Sequence, residues 1–328
     1  MLRFLRNNNL ISIILIPIFA ILLWWQSLAN LQPISVKNTM PLFEILWQML
    51  GNNLFLKTLF ALLLMLFEAF YLNLFLDKNN LLPRKTFLPA FIFMLLVSSF
   101  SDMQMLSPIL CGLLFVMFAV SKLAKTYRQE SASSYIFDAS FYIAVGSLFY
   151  FPIIVLFPLV WVSLIVIRPF VWREWAVSIL GFCLPYLFTF SAYFWYNRVN
   201  FFVFDKIVFP ASFNLSSFFL LGIIFKISFF IVLSLIIIGL VKSVIKVPVN
   251  TIFARNIAIL FIWFFVLSVA MFFLSPNASI LYLMICFLPA TFYLSSLIID
   301  IKRNWIGEVL LFCLIIIAFS NNYLHTKL

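Results

Sequence analysis

The sequence predicts an all-α, polytopic membrane protein, and three observations support this fold class. Of the 328 residues, 66% are hydrophobic and only 9% are charged. The apolar residues fall into blocks of roughly 15–25, and a helix needs roughly 20 of them to cross a bilayer. Short loops rich in Lys and Arg separate the blocks. Residues 1–328 are therefore predicted to form one integral membrane domain, a transmembrane helical bundle of about eleven spans.

The apolar blocks and the loops between them predict where each span begins and ends. They cover residues 10–29, 54–76, 87–100, 109–120, two short spans within 137–167, then 176–195, 220–240, 257–274, 280–299 and 305–319. Trp24 and Trp25 suit an interface at the end of the first span, because aromatic rings collect at headgroup depth. Residues 30–53 and 197–214 are the two predicted outer loops.

The net charge of +11 is a topology signal. With a cytoplasmic N-terminus, most of the 21 Lys and Arg residues fall in cytoplasmic loops, as the positive-inside rule requires. This distribution predicts a multi-pass membrane protein whose N-terminus faces the cytoplasm, with anionic membrane lipids rather than nucleic acid as its charged partners.

Several function classes are excluded by composition. The connections are short and lack GxxxxGKS/T and GxGxxG strings, which argues against nucleotide-driven chemistry within this chain. His325 is the sole histidine, so a His-based triad or a His-rich metal site is excluded. The four cysteines lie in apolar blocks without CxxC spacing, which predicts packing roles and no cysteine metal site: Cys111, Cys183, Cys286 and Cys313.

Two loop segments have patterns of their own. Residues 41–50, PLFEILWQML, place Leu42, Ile45, Leu46 and Met49 at helical spacing, which predicts a short amphipathic helix lying in the interface. Residues 168–175, RPFVWREW, combine Trp and Arg in the manner of an interfacial anchor, and solvation beside basic neighbours would explain Glu174.

The first candidates for chemistry are two acids near the predicted outer face. Glu44 lies in the first outer loop, and Asp102 follows the third span. Such a pair could hold a divalent cation as a cofactor, or it could act as a general base toward a hydroxyl. The alternative is that both are hydrated loop carboxylates.

Glu68 is a different kind of candidate because it lies inside the second span. A carboxylate in the hydrocarbon region is costly unless it is paired, protonated or hydrated, so it is either a proton relay or a protonated, hydrogen-bonded structural group. Lys226, in the predicted span 220–240, either reaches the interface or binds a lipid phosphate.

The stretch FDASFYIAVGSLFYFPIIVLFPLVWVSLIVIRPFVWREWAVSILGFCLPYLF, residues 137–188, resembles the middle of GT-C membrane glycosyltransferases. The whole chain also resembles an uncharacterised group of Bacteroidota inner-membrane proteins, through LLPRKTFLPAF (81–91), FSDMQMLSP (100–108) and RPFVWREW. The first resemblance implies a polyprenyl-phosphate sugar donor and catalytic acids on the first outer loop. Those enzymes carry an acid directly after span one, whereas the first acid here is Glu44.

Three functional hypotheses follow. In the leading one, the protein handles a polyprenyl-phosphate-linked sugar at the outer face, in envelope glycan or glycoprotein assembly. Glu44 or Asp102 would act as base or metal ligand, and Arg198, Lys206 or Lys226 would neutralise the donor phosphate. The alternatives are a non-catalytic subunit that binds membrane-protein partners in an envelope assembly or export complex, and a transporter of a lipid-linked substrate that uses Glu68.

Overall fold

The computed structural model describes residues 10–30, 39–197, 251–274, 280–301 and 304–324, together with 231, 233–239 and 241–242. Across these ranges the chain is helical and contains no β-strand. The helices in chain order are α1 (Leu10–Ala29), α2 (Pro41–Met49), α3 (Leu54–Lys78), α4 (Leu88–Ser98), α5 (Pro108–Ala124), α6 (Ser133–Phe149), α7 (Pro158–Ile167), α8 (Trp172–Trp195), α9 (Ile252–Leu274), α10 (Leu283–Asp300) and α11 (Asn304–Leu324). Short 3-10 turns lie at Ser101–Met103, Phe151–Leu156 and Ile280–Tyr282.

Six helices in the described ranges are long and apolar enough to cross a membrane: α1, α3, α8, α9, α10 and α11. This confirms the predicted all-helical architecture, and these six helices have the length and composition that membrane spans require. Helices α4 and α5 and the segment Phe151–Ile167 are apolar but shorter, so the total of about eleven spans stays a prediction. The predicted span 220–240 lies mostly outside the described residues. Of the predicted loop 197–214, the structure describes Asn197 alone.

Local signals in the sequence set where several helices begin. The Asn53 side chain accepts hydrogen bonds from the backbone N–H groups of Phe55 and Leu56, at 3.1 and 3.5 Å, and so caps α3. Ser107 caps α5 in the same way through Leu110, and Pro108 occupies the first turn, where a missing N–H costs nothing.

Helix α4 is the buried centre of the bundle. All of its 11 residues are buried, and it packs against α1, α3, α10 and α11. At 1.5 Å per residue it is about 16 Å long, roughly half the thickness of a hydrocarbon core. It is therefore too short to cross a membrane alone, and the helices packed around it enclose it on all sides.

Helices α5, α6 and α8 pack closely through glycines. A Cβ atom on Gly146 would lie 3.2 Å from the carbonyl oxygen of Gly112, and one on Gly181 would lie 2.7 Å from the carbonyl oxygen of Phe137. These approaches place the α5–α6 and α6–α8 backbones almost in contact, an arrangement typical of small residues at membrane helix interfaces.

The corner at residues 168–175 differs from its predicted role as a solvated anchor. Arg168 and Glu174 form an ion pair whose side chains are 7% and 4% exposed. Their burial corrects the interpretation of Glu174 as a hydrated surface acid. Trp172, which is 66% exposed, still has the position expected of an interfacial anchor.

Trp24 also differs from the prediction of an interfacial ring. It is completely buried, and its indole N–H donates a 2.9 Å hydrogen bond to the hydroxyl of Ser98 at the end of α4. Its neighbour Trp25 is 64% exposed and keeps the predicted surface position.

Candidate functional site

Glu68 lies near the middle of α3, roughly 21 Å from the first residue of the helix and roughly 15 Å from the last at 1.5 Å per residue. Its side chain is completely buried. The buried face of α3 around it consists largely of apolar side chains, including Met65, Ala69 and Leu72. A long apolar block therefore carries one acid into the interior of the bundle.

The carboxyl group of Glu68 lacks a hydrogen-bond partner among the residues that the structure describes. Neither of its oxygens accepts or shares a hydrogen bond with any described residue. The buried thiol of Cys111, on α5, is close enough to interact with it electrostatically but is a poor hydrogen-bond donor. The polar hydrogen-bond partner expected from the sequence is therefore not found in the described chain.

This geometry restricts what Glu68 can do. An ionised carboxylate in a low-dielectric interior costs several kcal/mol unless an opposite charge or water lies beside it. Among the described residues no basic side chain forms an ion pair with Glu68, so the neutral carboxylic acid is the form that this apolar packing favours. Such a group can take up a proton and can release it only if its surroundings change.

A small cleft lies one helical turn from Glu68, between α3, α5, α9 and α10. It is lined by Tyr71, Leu72, Phe75, Met117, Val120, Phe261 and Leu288. At its edge the Tyr71 hydroxyl donates a 2.9 Å hydrogen bond to Ser121. The cleft thus places one polar pair beside an otherwise apolar space close to the buried acid.

A polar network ties the end of α4 to distant parts of the chain. The carbonyl oxygen of Ser98 accepts 2.8 Å hydrogen bonds from the side-chain amides of Gln104 and Asn322. The Gln104 amide also donates to the Asn322 side-chain oxygen, and Ser27 donates to Gln104 at 2.6 Å. Because these groups satisfy a helix end inside the protein, α4 is fastened to α1 and α11 at one end.

The two acids proposed as catalytic are on separate elements. Glu44 is half-buried on α2, which packs against α6, and it accepts a 3.4 Å hydrogen bond from the Thr39 hydroxyl. Asp102 is exposed on the turn Ser101–Met103, which contacts the turn Ile280–Tyr282. No described contact joins the two carboxylates, so a shared site remains a prediction.

The proposed phosphate-binding residues and the proposed cation site also stay predictions. Arg198, Lys206 and Lys226 lie outside the described residues. Within the part of the chain that the structure describes, no three His, Cys, Asp or Glu side chains are grouped as metal ligands would be.

Sequence reasoning missed several polar residues that the structure makes prominent. Gln104 and Asn322 lacked a local signal, because each gains its role from partners far away in the chain. Lys57 was overlooked although it interrupts the apolar start of α3; its ammonium nitrogen lies 3.4 Å from the centroid of the Trp47 ring. Lys57 could have been identified from the sequence because a charged residue inside an apolar block is unusual. The same signal identified Glu68.

Comparison of the chain with protein-family models, curated proteins and solved structures finds no match in any of the three. The geometry of the side chains is therefore the basis for assigning a function. Both the glycosyltransferase and the assembly-subunit hypotheses stay predictions.

Proposed function

We propose that this chain is an integral membrane protein that couples proton binding at Glu68 to a rearrangement of its helices, as a proton-coupled transporter does. The observation that carries the proposal is a completely buried carboxyl group without a hydrogen-bond partner among the described residues. An apolar side chain would fill this position at lower cost, and acids inside membranes commonly serve as proton relays.

The coupling follows from the cost of a buried charge. With the proton bound, Glu68 is neutral and the closely packed arrangement is favoured. Loss of the proton creates a charge that needs water beside it, which favours a second arrangement in which the helices around α3 admit water. The cleft at Tyr71 is the place where water would enter, one helical turn from the carboxyl group.

The direction of proton access follows from the proposed orientation. The distribution of Lys and Arg supports a cytoplasmic N-terminus in a bacterial inner membrane. In that orientation the cleft lies between Glu68 and the cytoplasmic end of α3, where Asp77 accepts a 3.0 Å hydrogen bond from Asn73. We infer that protons exchange with Glu68 from the cytoplasmic side in the arrangement that admits water.

Infrared difference spectroscopy on the reconstituted protein tests the proposal directly. Spectra recorded in acidic and alkaline buffer should differ in the C=O stretching band of protonated carboxyl groups. Hydrogen exchange in α3–α5, divided by the base-catalysed intrinsic rate of free amides, should increase at alkaline pH. The Glu68→Gln variant should lose this corrected exchange response and the part of the band that belongs to Glu68, because glutamine imitates the protonated side chain and cannot ionise.

The matched control is Asp102→Asn, which removes an exposed carboxylate and should leave the Glu68 band and the exchange pattern unchanged. A difference band and a corrected exchange response in Glu68→Gln that equal those of the wild-type protein would contradict the proposal. A Glu68 band that is insensitive to pH throughout the stable range would show instead that the acid is a permanently neutral structural group.

A further inference from the structure

The corner between α2 and α3 holds a lysine against a tryptophan. Helix α2 ends at Met49, Gly51 turns the chain with a left-handed φ of +63°, and α3 begins at Leu54. Only glycine adopts that φ without strain, so the sharp turn depends on it. The turn brings the Lys57 ammonium over the face of Trp47, 3.4 Å from the ring centroid.

The positive charge of Lys57 is not balanced by any residue in the part of the chain that the structure describes. Lys57 is only 3% exposed, and it makes no hydrogen bond or ion pair with a described residue. It also lies in the first turns of α3, where the helix dipole already contributes positive potential and the first turn holds no acidic residue. Lysine is unfavourable at such a position unless an anion lies nearby.

The surface next to this corner is apolar. On α3, Phe55 and Leu56 are each 46% exposed and Leu63 is 55% exposed, and Met49 at the end of α2 is 81% exposed. This stripe runs from the corner along the membrane-spanning helix. It has the position of a surface that contacts acyl chains, with Trp47 and Lys57 at its end, where headgroups lie.

We propose that the α2–α3 corner binds the phosphate of an anionic lipid headgroup. The phosphate oxygens would accept charge-assisted hydrogen bonds from the Lys57 ammonium and offset the positive end of α3, and the acyl chains would follow the apolar stripe. Asn53 already caps the first N–H groups of α3, so Lys57 supplies the main attraction. The site is independent of the role proposed for Glu68.

Fluorescence quenching by brominated lipids tests the site. The full-length protein is reconstituted in phosphatidylcholine vesicles that contain either brominated phosphatidylglycerol or brominated phosphatidylcholine at equal mole fraction. Subtracting the signal of Trp47→Phe isolates Trp47 from the other tryptophans of this nine-tryptophan chain. Trp47 should be quenched more strongly by the anionic lipid, and added salt should weaken that preference.

Variants of Lys57 and Lys78 should distinguish a specific phosphate site at the α2–α3 corner from a general attraction between basic side chains and anionic lipid. Lys57→Gln should reduce the preference for phosphatidylglycerol about fivefold, which corresponds to the ~1 kcal/mol of one lysine near a membrane surface. Lys57→Arg should retain the preference. Lys78→Gln is the matched control, since it removes an exposed lysine from the other end of α3 and should have no effect at Trp47.

Three results would overturn the inference. One is equal quenching of Trp47 by the two brominated lipids in the wild-type protein, a measurement that does not depend on any Lys57 variant folding. Another is an unchanged preference in a folded Lys57→Gln variant. The third is full reversal of the phosphatidylglycerol signal by inorganic phosphate at constant ionic strength, which would identify soluble phosphate as the ligand.

Discussion

The guanidinium of Arg168 lies 3.0 Å from a carboxylate oxygen of Glu174, and the two side chains are almost fully buried. The same guanidinium donates hydrogen bonds to the backbone carbonyls of Thr126 and Gln129, at 3.1 and 2.8 Å. Glu174 in turn accepts from the backbone N–H of Ala132. This pair therefore fastens the loop after α5 and the start of α6 to the start of α8.

Replacing Glu174 by alanine should lower the free energy of unfolding by about 3–5 kcal/mol, because a buried guanidinium loses its counter-charge. Unfolding by SDS in mixed micelles measures the change. Arg173→Ala, at an exposed neighbouring position, should change stability by less than about 0.5 kcal/mol. Similar stability of the two variants would show that the buried pair contributes little.

Trp24→Phe should destabilise the protein by about 1–3 kcal/mol, because it removes the indole donor and leaves the buried Ser98 hydroxyl without it. Trp25→Phe is the matched control on the exposed side of the same helix and should have little effect. Thermal unfolding in detergent compares them. A larger loss in Trp25→Phe would mean that the outward ring, and not the α1–α4 hydrogen bond, holds this end of α1.

Gly181→Ala should cost about 1–3 kcal/mol, because the new methyl group would lie 2.7 Å from the backbone oxygen of Phe137, and a backbone atom cannot rotate away. The comparison is Leu180→Ala, a larger change at a neighbouring position that is 63% exposed. If thermal unfolding ranks Leu180→Ala as the more damaging variant, the close α6–α8 approach is not a stability determinant.

The proposed topology predicts opposite labelling of two exposed positions. Asn52→Cys, in the turn before α3, should react with a membrane-impermeant maleimide on intact spheroplasts. Lys85→Cys, in the loop after α3, should react only after permeabilisation. Cys183 and Cys313 are exposed and would first be replaced by serine. The reverse labelling pattern would invert the topology and move proton access to the outer side.

Much of the fold was predictable because membrane spans are encoded locally. A block of about 20 apolar residues must satisfy its own backbone in lipid, and a helix does so within one segment. The predicted spans 54–76 and 305–319 correspond to α3 and α11 for this reason. The same logic singled out Glu68, since an acid inside such a block stands out without knowledge of any neighbour.

The sequence by itself thus determined an all-helical chain with helices long and apolar enough to span a membrane, and an unusual acid within α3. Only the tertiary structure decided that Glu68 has no hydrogen-bond partner within the described ranges, that Arg168 and Glu174 are buried together, and that Gln104 bonds to Asn322, 218 residues away. The physical reason is the range of the interactions. Helix formation depends on neighbours along the chain, whereas burial and pairing depend on which helix faces meet, and many different faces of an apolar helix are compatible with the same composition.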